Sequence, residues 1–481
     1  MTVAQDHPIA RASRAAWLVA DGDRTLVEQI VDWYQGRIDE RVLRPGARLP
    51  SIRRFAADHG VSRFTVVEAY DRLVARGFVE SRRGAGFYVR ERREAERRPS
   101  PDAWAESARN DIDVVWLLRN MFKRMPAGDM PGGGVLPAPW LDETLIASSL
   151  RAIGRQSALS YLDYGHPQGF PPLREQLQRK LAELGIDTEP ANLLTTNGVT
   201  QGLDLIAQRF VKPGDTVLVD EPSWFLLFGR YATLGVRLVG VPRLDDGPDL
   251  ERLEALASEH RPRLYVTTAV LHNPTGSSMS AAKAFRVLRL AESLDFRIVE
   301  DDVYADLWQG AGTRLASLDQ LDRVIYLGGF SKTLAASLRV GFVACEAGLA
   351  RELTDLKMLV GLTSPEIGER IVHRVLSEGH YRRHLQRLRE RLDAVRDPVR
   401  RELERLGLRI AGDPSAGMFL WADTGADANR IAREMLDHGY LMAPGSLFLP
   451  DQRPSTWMRF NVACSRNPAM IRRLGQVLGR Q

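Results

Sequence analysis

Along residues 26–38, Leu26, Ile30, Tyr34 and Ile38 recur every four positions, which predicts a helix with one apolar face. The run VLRPGARLPS (42–51) stops that helix with Pro-Gly punctuation and offers Ser51 as the N-cap of a second one, SIRRFAADHG, ending at Gly60. In RFTVVEAYDRLVARG (63–77), Val66, Ala69, Tyr70 and Leu73 form the next apolar stripe and leave Arg63 and Thr65 outward in the first turn. FVESRRGAGFYVR (78–90) has the form of a hairpin with a Gly-rich tip. The pattern then lapses over residues 90–111, RERREAERRPSPDAWAESARND, where charge and Pro-Ser-Pro predict a linker extending to at most roughly 65 Å. Beyond it the rhythm changes. Strand-like runs TVLVDEP (216–222), RLYVTTAV (263–270), FRIVEDDVY (296–304) and RVIYLGGFSK (323–332) alternate with helical patterns at 249–260 and 280–295. Such alternation predicts an α/β domain, an open, mostly parallel sheet covered by helices on both faces.

A length of 481 residues calls for two or three domains, and 44% hydrophobic with 26% charged residues is an ordinary globular balance. No run of some twenty apolar residues and no secretory pattern at the N-terminus is present, so a cytoplasmic protein without membrane contact is expected. Cys345 and Cys464 lack metal-ligand spacing, which predicts neither a structural disulfide nor a metal site. The net charge of +5 is unevenly placed: residues 21–98 hold 17 arginines and no lysine against 13 acidic residues. That surplus hints at an anionic partner without requiring one.

A short helix, a tight turn and a second helix with polar residues at its start form a helix-turn-helix, whose second helix fits the DNA major groove. The string from Arg48 to Val89 resembles the GntR-type winged helix of bacterial transcription regulators. The resemblance implies DNA contacts from Arg53, from Ser62, Arg63 and Thr65 at the start of the recognition helix, and from Arg83 and Gly84 at the wing tip. Val67 stands where some GntR proteins carry a further arginine.

The chain holds only six lysines, yet one of them, Lys332, follows Gly-Gly-Phe-Ser at the end of a strand-like run. A desolvated lysine can lose its proton and act as a nucleophile, which arginine cannot. Asn273, Asp301 and Lys332 fall at equivalent ends of successive strands, where open α/β sheets bind ligands. Asp beside a pyridinium nitrogen keeps it protonated, and a protonated ring is the electron sink of pyridoxal phosphate chemistry. Asn273 and Tyr304 could hydrogen-bond the ring's phenolate oxygen and Trp224 could stack on it. The turn in TTNGVTQGLDL (195–205), Ser331 and Arg339 supply phosphate donors.

HNPTG (272–276), EDDVY (300–304), FSKTLAASLRVG (330–341) and YGHPQGFPPLREQL (164–177) resemble fold-type I aminotransferases in order and spacing. That resemblance implies pyridoxal 5'-phosphate as cofactor, held as an imine by Lys332, with Asp301 at the ring nitrogen and Asn273 and Tyr304 at the phenolate. It further implies Trp224 stacked on the ring, and Ser331, Arg339, Thr200 and the Val199 amide on the phosphate. Tyr164 would serve the neighbouring subunit of a homodimer, Arg459 would grip a substrate carboxylate, and a smaller α+β subdomain would end the chain. Gly329 and Ala336-Ser337 depart from the usual serine and Pro-Gly.

The two together resemble the MocR/GabR regulators: a winged helix over 24–90, a linker over 91–110 and an aminotransferase-like domain over 111–481. The resemblance implies a regulator of promoter DNA that senses the cofactor, an amino compound or both, with at most partial transaminase activity. A working aminotransferase with an accessory DNA-binding domain, and a sensor of the cofactor alone, remain the alternatives.

Overall fold

The computed structural model describes residues 17–18, 24–90, 114–123, 125–155, 162–310, 312–412 and 415–479. The linker expected over 91–110 lies outside the described residues. The chain divides into two compact units, Met1–Arg109 and Asn110–Gln481.

In the first unit the capping chemistry of the sequence sets the helix starts. Thr25 and Glu28 close a reciprocal capping box ahead of the helix Leu26–Asp39. Ser51 caps Ile52–His59, which ends on Gly60 at φ 62°. Ser62 caps the third helix, Arg63–Ala75. Val66, Ala69, Tyr70 and Leu73 of that helix are all buried, as the stripe predicts. Two tyrosines fix the arrangement. The Tyr34 and Tyr70 hydroxyls lie 3.1 Å apart, and Tyr70 donates to the Pro50 carbonyl at 3.0 Å, tying the first and third helices to the turn before the second. The strands Val79–Arg82 and Gly86–Val89 pair antiparallel as the wing.

The second unit is built on an eight-stranded sheet. Its parallel centre runs Val324–Gly329, Arg297–Asp301, Leu264–Thr267, Thr216–Glu221, Arg237–Leu244. Val340–Ala344 inserts antiparallel between Val324–Gly329 and the edge strand Leu193–Asn197. The mostly parallel sheet is therefore as expected, with antiparallel pairing confined to its margins. These strands read as unbroken apolar runs because both faces are covered: Ile298, Val299, Val324, Leu327 and Val343 are fully or almost fully buried. A 26-residue helix, His380–Arg405, leads to a smaller antiparallel sheet, Arg409–Ile410, Phe419–Asp423, Trp457–Asn461, Ala443–Pro444. Among the described residues no helix is long and apolar enough to cross a membrane.

Candidate functional site

Three neighbouring parallel strands end in the same region. Asp301 is the last residue of its strand, Lys332 lies three residues past Gly329, and Asn273 follows the strand Leu264–Thr267. Asn273, Asp301 and Tyr304 are buried. The Asn273 amide nitrogen lies 3.4 Å from the Tyr304 hydroxyl, and Lys332 Nζ is 5.7 Å from the centre of the Tyr304 ring. Lys332 Nζ donates to the Gly134 carbonyl at 2.9 Å. Burial, reinforced by the positive charge of Arg459, lowers the lysine to about 8. Burial also pushes Asp301 up to about 7, against the Val303 amide that stabilises its anion. A lysine and an aspartate that both exchange protons near neutrality make a reactive pair.

Arg459 is brought into the same centre. Its side chain is buried, with Nη1 donating to Asn273 Oδ1 at 2.8 Å and Nη2 to the Gly132 carbonyl at 2.7 Å. The guanidinium lies 4.3 Å from the Phe419 ring centre and 5.0 Å from that of Phe448. Burial lowers it to about 10, and its Nε meets no acceptor among the described residues. A buried arginine with donor capacity in reserve suits recognition of an anion.

The expected phosphate donors gather at another helix start. Val199 and Thr200 open the helix Val199–Phe210 behind Gly198, which has φ 73°. Arg339 lies over that turn and donates to the Asn197 carbonyl at 2.9 Å. A Cβ at position 198 would fall 2.5 Å from Arg339 Nη2, so only glycine lets the guanidinium approach. Ser331 precedes Lys332, and Arg339 follows the short 3₁₀ turn Ala336–Leu338 at φ 52°. The turn forms around Ala336 and Ser337. Trp224 is half-buried at the head of the helix Phe225–Thr233. Tyr164 is 75% exposed, so it takes no part in the centre of its own chain.

Several contributors carry no sequence signal. Gly132–Val135 supplies carbonyls to Arg459, Lys332 and Asn461. The Thr333 and Tyr381 hydroxyls, 2.6 Å apart, with Tyr381 donating to Asp306 at 2.6 Å, brace the residue next to Lys332. Lys357 is also buried, lowered to about 8 by desolvation, and donates to the carbonyls of Pro167 and Thr195. Such partners come together only through long-range folding.

In the first unit Arg53, Arg63, Arg83 and Gly84 are exposed. Ser62 is committed to the cap: its oxygen accepts the Thr65 amide at 3.0 Å and lies 2.8 Å from the Thr65 hydroxyl. Arg82 is engaged by Glu80 and by the Tyr88 ring, 4.5 Å from its guanidinium, whereas Arg83 stands at the wing tip. Phe64, beside Arg63, is 77% exposed, and its signal in the sequence is a large apolar residue off the buried stripe.

A half-buried lysine, a buried carboxylate, an amide–phenol pair and a glycine-lined helix start on an α/β sheet define a pyridoxal-phosphate type of site, and the residues fit that cofactor. Residues 139–478 match the model of aminotransferase class I and II, and residues 26–89 that of the gntR family of bacterial regulatory proteins. The chain belongs to the aminotransferase class I and II family and carries a GntR-type domain ahead of it. It is 30% identical to the HTH-type transcriptional regulator TauR of Rhodobacter capsulatus, over 85% of this chain and 87% of that one. It is likewise 30% identical to the probable rhizopine catabolism regulatory protein MocR of Rhizobium meliloti, over 79% and 77%. Among solved structures, LysN, the alpha-aminoadipate aminotransferase of Thermus thermophilus complexed with N-(5'-phosphopyridoxyl)-L-leucine, is 27% identical. It superposes with a TM-score of 0.67 over 76% of this chain and 94% of that one.

Proposed function

We propose that the protein is a pyridoxal-phosphate-dependent transcription regulator: its winged helix binds promoter DNA, and its aminotransferase-like domain senses the cofactor together with an amino compound. The observation that carries this is the joining, in one chain, of an exposed Arg63 at a recognition-helix start with a centre of half-buried Lys332 and buried Asp301 and Asn273. The bound cofactor supplies a carbonyl for imine exchange and an electron-withdrawing ring. Lys332, lowered by burial, provides a neutral amine near pH 8. Asp301 holds the proton of a ring nitrogen, and Asn273 with Tyr304 faces its oxygen. Val199, Thr200, Ser331 and Arg339 hold phosphate, Trp224 covers the ring and Arg459 takes a carboxylate. Tyr164, exposed in a single chain, completes the neighbour's site in a homodimer.

An amine that took the place of Lys332 on the cofactor would leave the lysine amino group free beside Arg459 and the Gly134 carbonyl. The change in charge there biases the domain between two states, and only a ligand with unequal affinity for those states can regulate. The test is a footprint on DNA upstream of the protein's own gene, comparing cofactor-loaded wild type with Lys332→Ala. A discrete footprint that changes with cofactor state supports the regulator. The same assembly of Lys332, Asp301 and Arg459 favours a second reading, a working aminotransferase. Sustained turnover of an amino acid with a 2-oxo acid, without any footprint, would install it.

A further inference from the structure

The recognition helix Arg63–Ala75 carries two apolar side chains that its own core does not use. Val66, Ala69, Tyr70 and Leu73 fill the buried stripe, whereas Phe64 is 77% exposed and Val67 38%. Tyr34, Phe55, Tyr70 and Phe87 pack on one another as rings. Phe64 joins neither those contacts nor the core cluster of this unit among the described residues. A lone exposed apolar residue is ordinary, but these two stand three positions apart and so share one face of the helix.

The charges around that face favour a polyanion as its cover. Arg63 adjoins Phe64, and Arg53 of the helix Ile52–His59 is exposed too; neither is paired with a carboxylate among the described residues. The acidic residues stand farther along the helix. Glu68 is neutralised by Arg72 at 2.6 Å, and Asp71 is exposed two turns past Phe64. Phosphates are therefore favoured at the first two turns, where Phe64 and Val67 lie, and disfavoured beyond them. Three residues of helix rise about 4.5 Å, between one and two base steps of roughly 3.4 Å.

In the major groove the base edges display hydrogen-bonding atoms, and the C5-methyl of thymine is the apolar group among them. An apolar side chain pressed on a polar edge would leave donors or acceptors unpaired, at a cost in free energy. We infer that Phe64 and Val67 read thymine methyls, so that the operator holds one thymine, or two neighbouring ones, beside the base met by Arg63. The inference rests on the reading of the first unit as a DNA-binding module and adds the base that this face selects.

The experiment uses the full chain loaded with pyridoxal phosphate. Duplexes with a randomised core are selected for binding against excess random DNA, and the recovered duplex is resynthesised with deoxyuridine at single thymine positions. Deoxyuridine keeps the base pair and removes only the C5-methyl. The Arg63 contact is located as the base pair at which Arg63→Ala loses discrimination. Beside it, each replacement should weaken wild-type binding about fourfold, the worth of one buried methyl. Phe64→Ala should bring thymine and deoxyuridine to equal affinity at one of these positions, and Val67→Ala at the same or the neighbouring one. Both variants should melt as wild type does, because the side chains they shorten are exposed. Wild-type affinity that is indifferent to deoxyuridine throughout the recovered duplex overturns the inference and leaves the DNA-binding reading intact. So does discrimination that survives both substitutions, which would put the methyl contact on another element. Recovery of no preferred sequence would remove the DNA-binding reading itself, and this inference with it.

Discussion

Arg459 Nη1 donates to Asn273 Oδ1 across 2.8 Å, joining the small sheet to the loop that follows a central strand of the large one. The amide of Asn273 is thereby oriented, with its nitrogen left to face Tyr304. The same arginine thus orients Asn273 and sets a buried positive charge near Lys332.

Replacing Arg459 by lysine keeps the charge but removes the fork that reaches Asn273 and the Gly132 carbonyl together. Spectral titration of the loaded protein with amino acids should show affinity falling by one to two orders of magnitude, roughly 1.5–3 kcal/mol. The matching amines without a carboxylate should bind the variant and wild type alike. An equal loss for both would remove Arg459 from carboxylate recognition.

Gly198→Ala tests the phosphate end. The new methyl would sit 2.5 Å from Arg339 Nη2 in a backbone at φ 73°, so Arg339 must move off the helix start. Cofactor retention should weaken at least about tenfold, read by dialysis and absorbance. Gly214→Ala, also at positive φ but with nothing near its Cβ, should leave retention unchanged and so separates strain from lost donors.

The strands and helices around this centre were legible because burial on both faces writes them as unbroken apolar runs, and those of the winged helix because a cap such as Ser51 is a local signal. Lys332, Asp301 and Asn273 were legible from their places at strand ends. The Gly134 carbonyl that holds Lys332, and the Tyr381–Asp306 brace behind Thr333, were not. Those contacts join residues far apart in the chain, and a carbonyl leaves no mark in a sequence. Ser62 carries a second role that its residue type alone did not separate from a DNA contact: its oxygen accepts the Thr65 amide and caps the helix.

Ser62 and Arg63 should therefore separate in experiment. Ser62→Ala leaves a recognition-helix amide uncapped and should destabilise the winged helix by about 1 kcal/mol, seen as a lower melting temperature. Arg63→Ala removes an exposed side chain and should leave melting unchanged. In competition binding it should weaken specific over random DNA by about 1–3 kcal/mol. Equal losses on both DNAs would deny Arg63 a base-reading role.

Asp301 makes a prediction in pH. Its folded value, about 7, lies above the ordinary 3.8 because burial disfavours the anion. Between those values the folded protein holds the proton and the unfolded chain does not, so Asp301 contributes stability that is fully present below pH 4 and lost as pH rises through 7. Lys332, lowered to about 8 from 10.5, acts in the opposite sense but only above that window. Asp301→Asn removes the titration while keeping the shape. In cofactor-free protein the variant should gain on wild type as pH is raised from 4 to 7.5, by up to about 4 kcal/mol over the full window. The measurement is the difference between the two chemical-denaturation free energies at each pH, in which the titrations common to both proteins cancel. With the cofactor loaded the order should reverse at pH 7.5, since the carboxylate then has a protonated ring nitrogen beside it. A difference that stays flat with pH in the cofactor-free pair would mean that burial does not raise Asp301, and an order that fails to reverse on loading would withdraw it as the partner of that ring nitrogen.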